Sequence, residues 1–342
     1  MTATPQASYC EQTTSEIGVA FFRMDVAVVI PVFNKEHYVE RAIRSALSQT
    51  LSPAKIVVVD DASTDGSREK IAAILDPRIT VIHRQTPGPG GYAARNAAVA
   101  AVTTEWIAFL DADDSWLPDH LQSVAGAIAR VGDDPRIGCA FTGYQNVYPD
   151  GLCVLDRYTR QIARPDDRRL DFDELLSVWI RLRACPVWTS AAIFRRRVLL
   201  QAGLFPEGRC ARGGDKDLWL RAARHADLLA CSSVTATYHR DSANMVTRSN
   251  TTNLRHCLCD TIETLIAEEP SSRRRQLLMR LFNSEVFEYA KLALRTERVD
   301  SRVWKGFHIA QDPLRFLVLH ALAWLPHSLT RSYVNRSGRR MV

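Results

Sequence analysis

Apolar and polar positions follow two periods along the first third of the chain. Val26 to Ile30, Ile56 to Val59, Ile79 to Ile82 and Trp106 to Leu110 are short apolar runs that read as buried strands. Between them, Val39, Ala42, Ile43, Ala46 and Leu47 recur at helical spacing within His37 to Gln49. Ser67 to Leu75 reads as a second helix, and the Ala-rich stretch Tyr92 to Ala101 as a third. Strands alternating with helices at this spacing predict an α/β fold with a mostly parallel sheet flanked by helices and right-handed crossovers. Past Leu121 the pattern turns to α+β. A helix is expected over Leu121 to Val131, a strand over Ile137 to Thr142, a mobile loop over Asn146 to Arg169, a strand over Ala191 to Phe194 and a helix over Leu218 to Ala226. From Thr252 onward the pattern is mostly helical. The expected organisation is a loosely packed leader (1–24), a main domain (25–245) and a helical C-terminal region (246–342).

In an open α/β sheet, ligands sit beyond the carboxyl ends of the strands. Here those ends carry Pro31-Val32-Phe33-Asn34, Asp60-Asp61, the Gly88 to Gly91 loop and Asp111-Ala112-Asp113-Asp114. The last is the most informative. Carboxylates at the end of a buried strand are costly unless a cation meets them. Asp111 and Asp113 lie two apart, so an extended backbone points them to the same side. Hard oxygen ligands suit Mg²⁺ or Mn²⁺, which usually arrive with a phosphate-bearing substrate. The plainer alternative is that Asp114 or Ser115 caps the helix near Pro118.

Composition narrows the partners. The chain has 342 residues, 46% of them hydrophobic, enough to bury a sizeable core. Its formal net charge is +6, with much of the excess in Arg273-Arg274-Arg275 and Arg336 to Arg340. Nucleic acid is not expected as a partner. Eight cysteines lie scattered without a C-x-x-C pair, and buried free thiols in a reducing cytoplasm are the simplest account. The first residues lack the basic start and apolar core of a secretory signal. Leu314 to Leu325 is apolar but too short to span a bilayer. It either packs on the main domain or lies in a membrane interface beside the arginines that surround it.

Each motif has a chemical and a structural reading. Asp61 can accept from a pyrimidine N3–H, while Pro31 and Phe33 form a cradle for the ring. Alternatively, Asp60 to Gly66 is an Asx turn leading into the next helix. Gly88 to Gly91, followed by Arg95 and Asn96, either admits a phosphate or is a plain surface loop. Gly213-Gly214-Asp215-Lys216-Asp217 opens a helix. There Asp215 either caps the helix or faces the site as a base for an acceptor hydroxyl, with Asp217 in support.

Taken in order, these segments resemble family 2 glycosyltransferases, over about Asp25 to Arg240. The resemblance rests on Val28 to Glu36, Val57 to Ser67 and Ala108 to Asp114, with Ala94-Arg95-Asn96 and Asp215 to Trp219 in support. It implies the glycosyltransferase-A fold, with its nucleotide-binding sheet. It also implies transfer from a nucleoside-diphosphate sugar, UDP-linked by expectation, to a glycan or lipid-linked acceptor in surface polysaccharide synthesis, with inversion. Nucleotide-sugar binding falls on Pro31, Phe33, Asn34, Glu36, Asp61, Arg95, Asp111 and Asp113. Asp111 and Asp113 match the Asp-x-Asp motif that holds Mn²⁺ or Mg²⁺, and Asp215 matches the catalytic base. Two departures stand out. Gly214 replaces a frequent glutamate, and Tyr238-His239-Arg240-Asp241 replaces a frequent Tyr-Arg-x-His. A cytoplasmic location is implied, with peripheral contact on the inner face of the membrane as the interfacial alternative. A nucleotidyltransferase on a related sheet and a non-catalytic homologue are the rival readings.

Overall fold

The computed structural model describes residues 24–162, 165–210, 212–242, 257–293 and 305–324. Of the leader expected over 1–24, residues 1–23 lie outside these residues, as do the arginines at 336–340, and Met24 is buried in the core rather than loosely packed.

The first half builds the parallel sheet. β1 (Val26–Val32), α1 (Val39–Leu47), β2 (Lys55–Asp61), α2 (Ser67–Ala72), β3 (Ile79–Arg84), α3 (Tyr92–Ala100) and β4 (Trp106–Phe109) follow one another as the hydrophobic pattern predicts. β2 and β4 flank β1, and β3 flanks β2, all in parallel. β1 is apolar throughout because both faces are covered. Val26, Val28 and Ile30 pack with Ile43 of α1, while Ala27 and Val29 pack with Ala94 and Ala98 of α3. α1 turns Val39, Ala42, Ile43 and Ala46 inward and leaves the Glu40–Arg44 pair at the surface.

The chain continues through β5 (Ser115–Trp116), α4 (His120–Arg130), β6 (Ile137–Val147), β7 (Cys153–Leu155), α5 (Arg157–Gln161), β8 (Arg168–Leu170) and α6 (Phe172–Leu182). It then forms β9 (Ala192–Arg195), α7 (Arg196–Gln201), α8 (Gly214–Ala222) and β10 (Asp227–His239). The sheet order is β3-β2-β1-β4-β9-β6-β10-β5. β9 runs antiparallel between β4 and β6, so this half of the sheet is mixed.

Two expectations need correction. The 146–169 stretch is not a plain loop. β6 runs on to Val147 and folds back as β7, and β8 pairs with β10. Its polar residues make local structure: Asp156 caps α5 by accepting from Thr159 N–H and also takes the Tyr144 N–H. Second, not every cysteine is a thiol. Cys139 and Cys231 are buried thiols as expected, but Cys210 and Cys257 form a disulfide with Cα atoms 5.8 Å apart. The two lie 47 residues apart, and only the docking of the next helix brings them together.

α9 (Cys257–Glu268), α10 (Ser272–Ala293) and α11 (Pro313–Trp324) close the fold. Leu258, Ile262, Leu278 and Phe282 join the same core as Trp179 of α6 and Leu218 of α8. Asp217 secures this junction. It is fully buried, salt-bridged to Arg221 at 2.7 Å and hydrogen-bonded by Thr261 of α9. In α11, Leu319 and Leu322 are buried, whereas Leu314, Leu317 and Trp324 stay exposed. Among the described residues, no helix is long and apolar enough to cross a membrane.

Candidate active site

β1, β2 and β4 run parallel, so their carboxyl ends share one rim, and the sequence places acidic residues there. Past β4 the chain turns sharply, with Asp114 N–H bonded to the Asp111 carbonyl. Each aspartate of this turn meets a different partner. Asp111 is salt-bridged to the buried Arg95 of α3, and its N–H donates to Ser190 Oγ at 3.1 Å. Asp113 is salt-bridged at 2.7 Å to Lys35, from the segment after β1. Asp114 is buried and accepts from Ser190 Oγ at 2.6 Å. Neither Asp114 nor Ser115 caps α4, whose N-cap is Asp119.

Concentrated negative charge shows in the acid strengths. Burial raises the Asp111 carboxyl above its usual range. The attraction of Arg95 opposes this, while Asp113 and Asp215 add to it. Burial, with Asp113 and Asp111 close by, pushes Asp114 up further. Asp111 therefore feels both Asp113 and Asp215, which belong to segments about 100 residues apart in the sequence.

Asp215 sits in the first turn of α8, near Thr189 Oγ1 at 3.4 Å. Gly213, in the left-handed region at φ 74°, starts this helix. The Gly214 N–H donates to Tyr92 Oη at 2.8 Å, and a Cβ at Gly214 would lie 2.7 Å from the Tyr92 ring. This contact leaves no room for a side chain at Gly214. Burial and the nearby Asp215 raise the Tyr92 hydroxyl pKa, so it stays protonated. Asp217 faces away, toward Arg221 and Thr261, and does not support Asp215 directly.

At the other end of the rim, Asp60 and Asp61 divide their tasks. Asp60 makes the Asx turn by accepting from Ser63 N–H at 3.0 Å. Asp61 is salt-bridged to Arg84 at the end of β3 and accepts from Gly88 N–H at 3.0 Å. The Gly88 to Gly91 loop thus serves Asp61, and its Gly90 carbonyl accepts from Arg95 at 2.9 Å. Phe33 is 46% exposed. Pro31 lies beside the loop, its Cβ 3.7 Å from where a Gly91 Cβ would stand. The Asn34 and Glu36 side chains face the β2–α2 loop: Asn34 Oδ1 accepts from Thr64 N–H and Glu36 Oε2 from Gly66 N–H, both at 2.8 Å. They brace the β2–α2 loop.

The altered segment at the end of β10 closes the far side. Ser115 Oγ lies 2.8 Å from His239 Nε2. Burial and the Arg41 charge hold the imidazole below its usual range. Burial would raise the Asp241 pKa, but the hydrogen bond and charge of Arg41 prevail and lower it. Arg41 Nη2 also donates to the Asp113 carbonyl at 2.7 Å, so it joins the aspartate turn to this segment.

Asp111 and Asp113 offer hard oxygen donors suited to Mg²⁺ or Mn²⁺. Among the described residues no three His, Cys, Asp or Glu side chains group as a metal cage. This donor set fits an ion that keeps few protein ligands and shares the phosphates of a substrate. Sequence patterning missed Arg84, Thr189 and Ser190. The two hydroxyls come from a segment about 75 residues beyond the aspartates and carry no local motif. Lys35 lies inside the Val28 to Glu36 stretch, but its partner is set by the fold.

Comparisons with known proteins bear on the fold and the family. The chain is 44% identical over 99 residues to the succinoglycan biosynthesis protein ExoO of Rhizobium meliloti, which is 29% of this chain and 28% of that protein. It is 32% identical over 153 residues to the putative teichuronic acid biosynthesis glycosyltransferase TuaG of Bacillus subtilis, covering 44% and 56% respectively. The chain thus spans less than two thirds of the length of these relatives. The fold matches residues 1–349 of TarS from S. aureus, solved with UDP-GlcNAc, at a TM-score of 0.66 and 18% identity, over 93% of this chain and 92% of that one. This likeness shows the glycosyltransferase-A fold. The family model described as glycosyl transferase family 2 matches residues 27–200, just over half the chain. The α/β sheet, the acidic rim and this match together mean that the chain belongs to glycosyl transferase family 2.

Proposed function

We propose that the chain is a metal-dependent, inverting glycosyltransferase. It would move a sugar from a UDP-linked donor to a glycan or lipid-linked acceptor in surface polysaccharide synthesis. The observation that carries this reading is the convergence of Asp111, Asp113 and Asp215 on one rim: Thr189 donates to Asp215 at 3.4 Å, while its neighbour Ser190 accepts from the Asp111 N–H and donates to Asp114. The names of ExoO and TuaG support the polysaccharide setting, and the UDP-GlcNAc bound to TarS supports the nucleotide. We take residues 25–245 as the catalytic unit and 246–342 as its helical continuation.

Phe33 stacks on the nucleobase, Pro31 borders it, and Asp61 accepts from its N3–H, oriented by Arg84. Asn34 and Glu36 keep this end in shape through the β2–α2 loop. Arg95 holds Asp111 toward the ribose side, and Asp113 faces the diphosphate. A divalent Mn²⁺ or Mg²⁺ ion, when bound by Asp113 and Asp111, supplies charge neutralisation for the departing diphosphate. Asp215 takes the proton from the acceptor hydroxyl. The acceptor oxygen then forms its bond to the anomeric carbon as the carbon–phosphate oxygen bond on the opposite face breaks, which inverts the centre. Thr189 positions Asp215, and Ser190 fixes the aspartate turn.

Asp215→Asn is expected to lower transfer by at least about 10²-fold, in line with loss of a general base, and to leave UDP binding intact. Asp113→Asn should weaken metal-dependent UDP binding as well. Product analysis by NMR reads the anomeric configuration. Full transfer by Asp215→Asn, or a product of retained configuration, overturns the mechanism.

We further propose peripheral contact with the inner face of the membrane through α11. Its exposed Leu314, Leu317 and Trp324 form the apolar face that would enter the interface, while Arg315 is ion-paired with Asp312 at 3.2 Å.

A further inference from the structure

Lys35 occupies one oxygen of the carboxylate that would hold the ion, Asp113 Oδ2. Its ammonium lies 2.7 Å from Asp113 Oδ2 and donates to Ser242 Oγ at 2.9 Å. Both side chains of the ion pair are only 13% exposed, and Ser242 is fully buried. The lysine is held from its backbone upward. Asn34 before it adopts φ 53°, and the Lys35 N–H donates to Ser67 Oγ at 2.8 Å. A charge pair sheltered this far from water is weakly screened, so a second cation at this carboxylate meets the charge of the ammonium, and one that takes Oδ2 displaces it.

We propose that Lys35 is the resident counter-cation of Asp113 and makes divalent-ion binding conditional on the donor. Without a diphosphate, displacing the ammonium leaves a positive charge beside the incoming ion. With a diphosphate present, the displaced ammonium gains phosphate oxygens as partners, and the carboxylate passes to the ion. Lys35 thereby couples ion and nucleotide binding. It is a positioning residue and takes no part in bond exchange. The proposal rests on the donor-site reading of Asp113.

The test is a Mn²⁺ titration of the full chain, read by electron paramagnetic resonance of the unbound ion, with and without UDP. Three proteins are compared: the unaltered chain, Lys35→Met, which keeps the stem and removes the charge, and Lys35→Arg, which keeps the charge. Thermal melts confirm that all three are folded. Lys35→Met is expected to bind Mn²⁺ about tenfold more tightly than the unaltered chain when UDP is absent, and to lose most of the gain that UDP confers. Lys35→Arg should bind weakly without UDP, as the unaltered chain does. A merely structural lysine would not sharpen ion binding when removed. Equal Mn²⁺ affinity in Lys35→Met and the unaltered chain, with Mn²⁺–UDP binding intact, overturns the role of Lys35 and leaves the donor site standing. Absence of Mn²⁺ binding in all three at saturating UDP overturns the metal reading and this proposal with it.

Discussion

Gly214 stands one residue before the proposed base, and its missing side chain is a packing requirement. A Cβ there would meet the Tyr92 ring at 2.7 Å and Pro206 at 2.8 Å, and both neighbours are held in the core. The expected result of Gly214→Ala is a shift of the first turn of α8, with a loss of about 1–3 kcal/mol from overpacking. Because Asp215 rides on that turn, the turnover number should fall more than donor affinity. Comparing kcat with UDP affinity checks this, and unchanged kcat would show that the turn absorbs the methyl group. The same scale shows how far a motif could be read. Asp111, Asp113 and Asp215 lie in short acidic motifs at predicted strand or helix ends, and the fold gathers them. Asn34 and Glu36 belong to equally recognisable motifs, yet their side chains brace a loop. A motif marks a position on the rim, but the direction of a side chain depends on which hydrogen-bond partners the neighbouring loop supplies.

At the scale of elements, α4 joins β5 and β10 through a buried histidine. His120 stacks on Trp116 with ring centroids 4.3 Å apart, and its Nδ1 lies 2.8 Å from Thr235 Oγ1. Burial depresses its pKa from 6.5 to about 3. The imidazole is therefore neutral in the folded protein and takes a proton in the unfolded chain once the pH drops below 6.5. Its contribution to stability is fully present above that pH and declines as the pH falls toward 3, by about 1.4 kcal/mol per unit. Urea unfolding at pH 7.5 and 5.0 should show a smaller acid-induced loss for His120→Asn than for the unaltered protein, and equal losses would exclude this origin. Element boundaries also show where patterning stops. The apolar runs of β1, β2 and β4 were readable because two covered faces require continuous hydrophobicity. β7 and β8 were hidden because they are three-residue strands whose pairing, with β6 and β10, is not encoded in their own sequence.

On the scale of the whole molecule, the C-terminal helices extend the core beneath α6 and α8 and leave one apolar face of α11 uncovered. Leu314 is 74%, Leu317 62% and Trp324 85% exposed. If this face meets lipid, the triple change Leu314→Ser, Leu317→Ser and Trp324→Ser should abolish flotation with vesicles rich in phosphatidylglycerol at low salt. Transfer to a soluble acceptor should persist. Unaltered protein that does not float with such vesicles removes the membrane proposal. Self-association through the same face would instead appear as a concentration-dependent sedimentation coefficient without lipid.

The sequence by itself determined the elements of the parallel half, the rim on which polar motifs collect and the family to which these motifs belong. Each of these follows from local periodicity or from residues adjacent along the chain. Only the tertiary structure decided that Lys35 meets Asp113, that Ser190 ties Asp111 to Asp114, that Tyr92 takes the space beside Gly214, and that Cys210 finds Cys257. These contacts join residues from 47 to 122 positions apart. Such pairs form when packed layers bring distant segments together, and no pattern within either segment carries the identity of its partner.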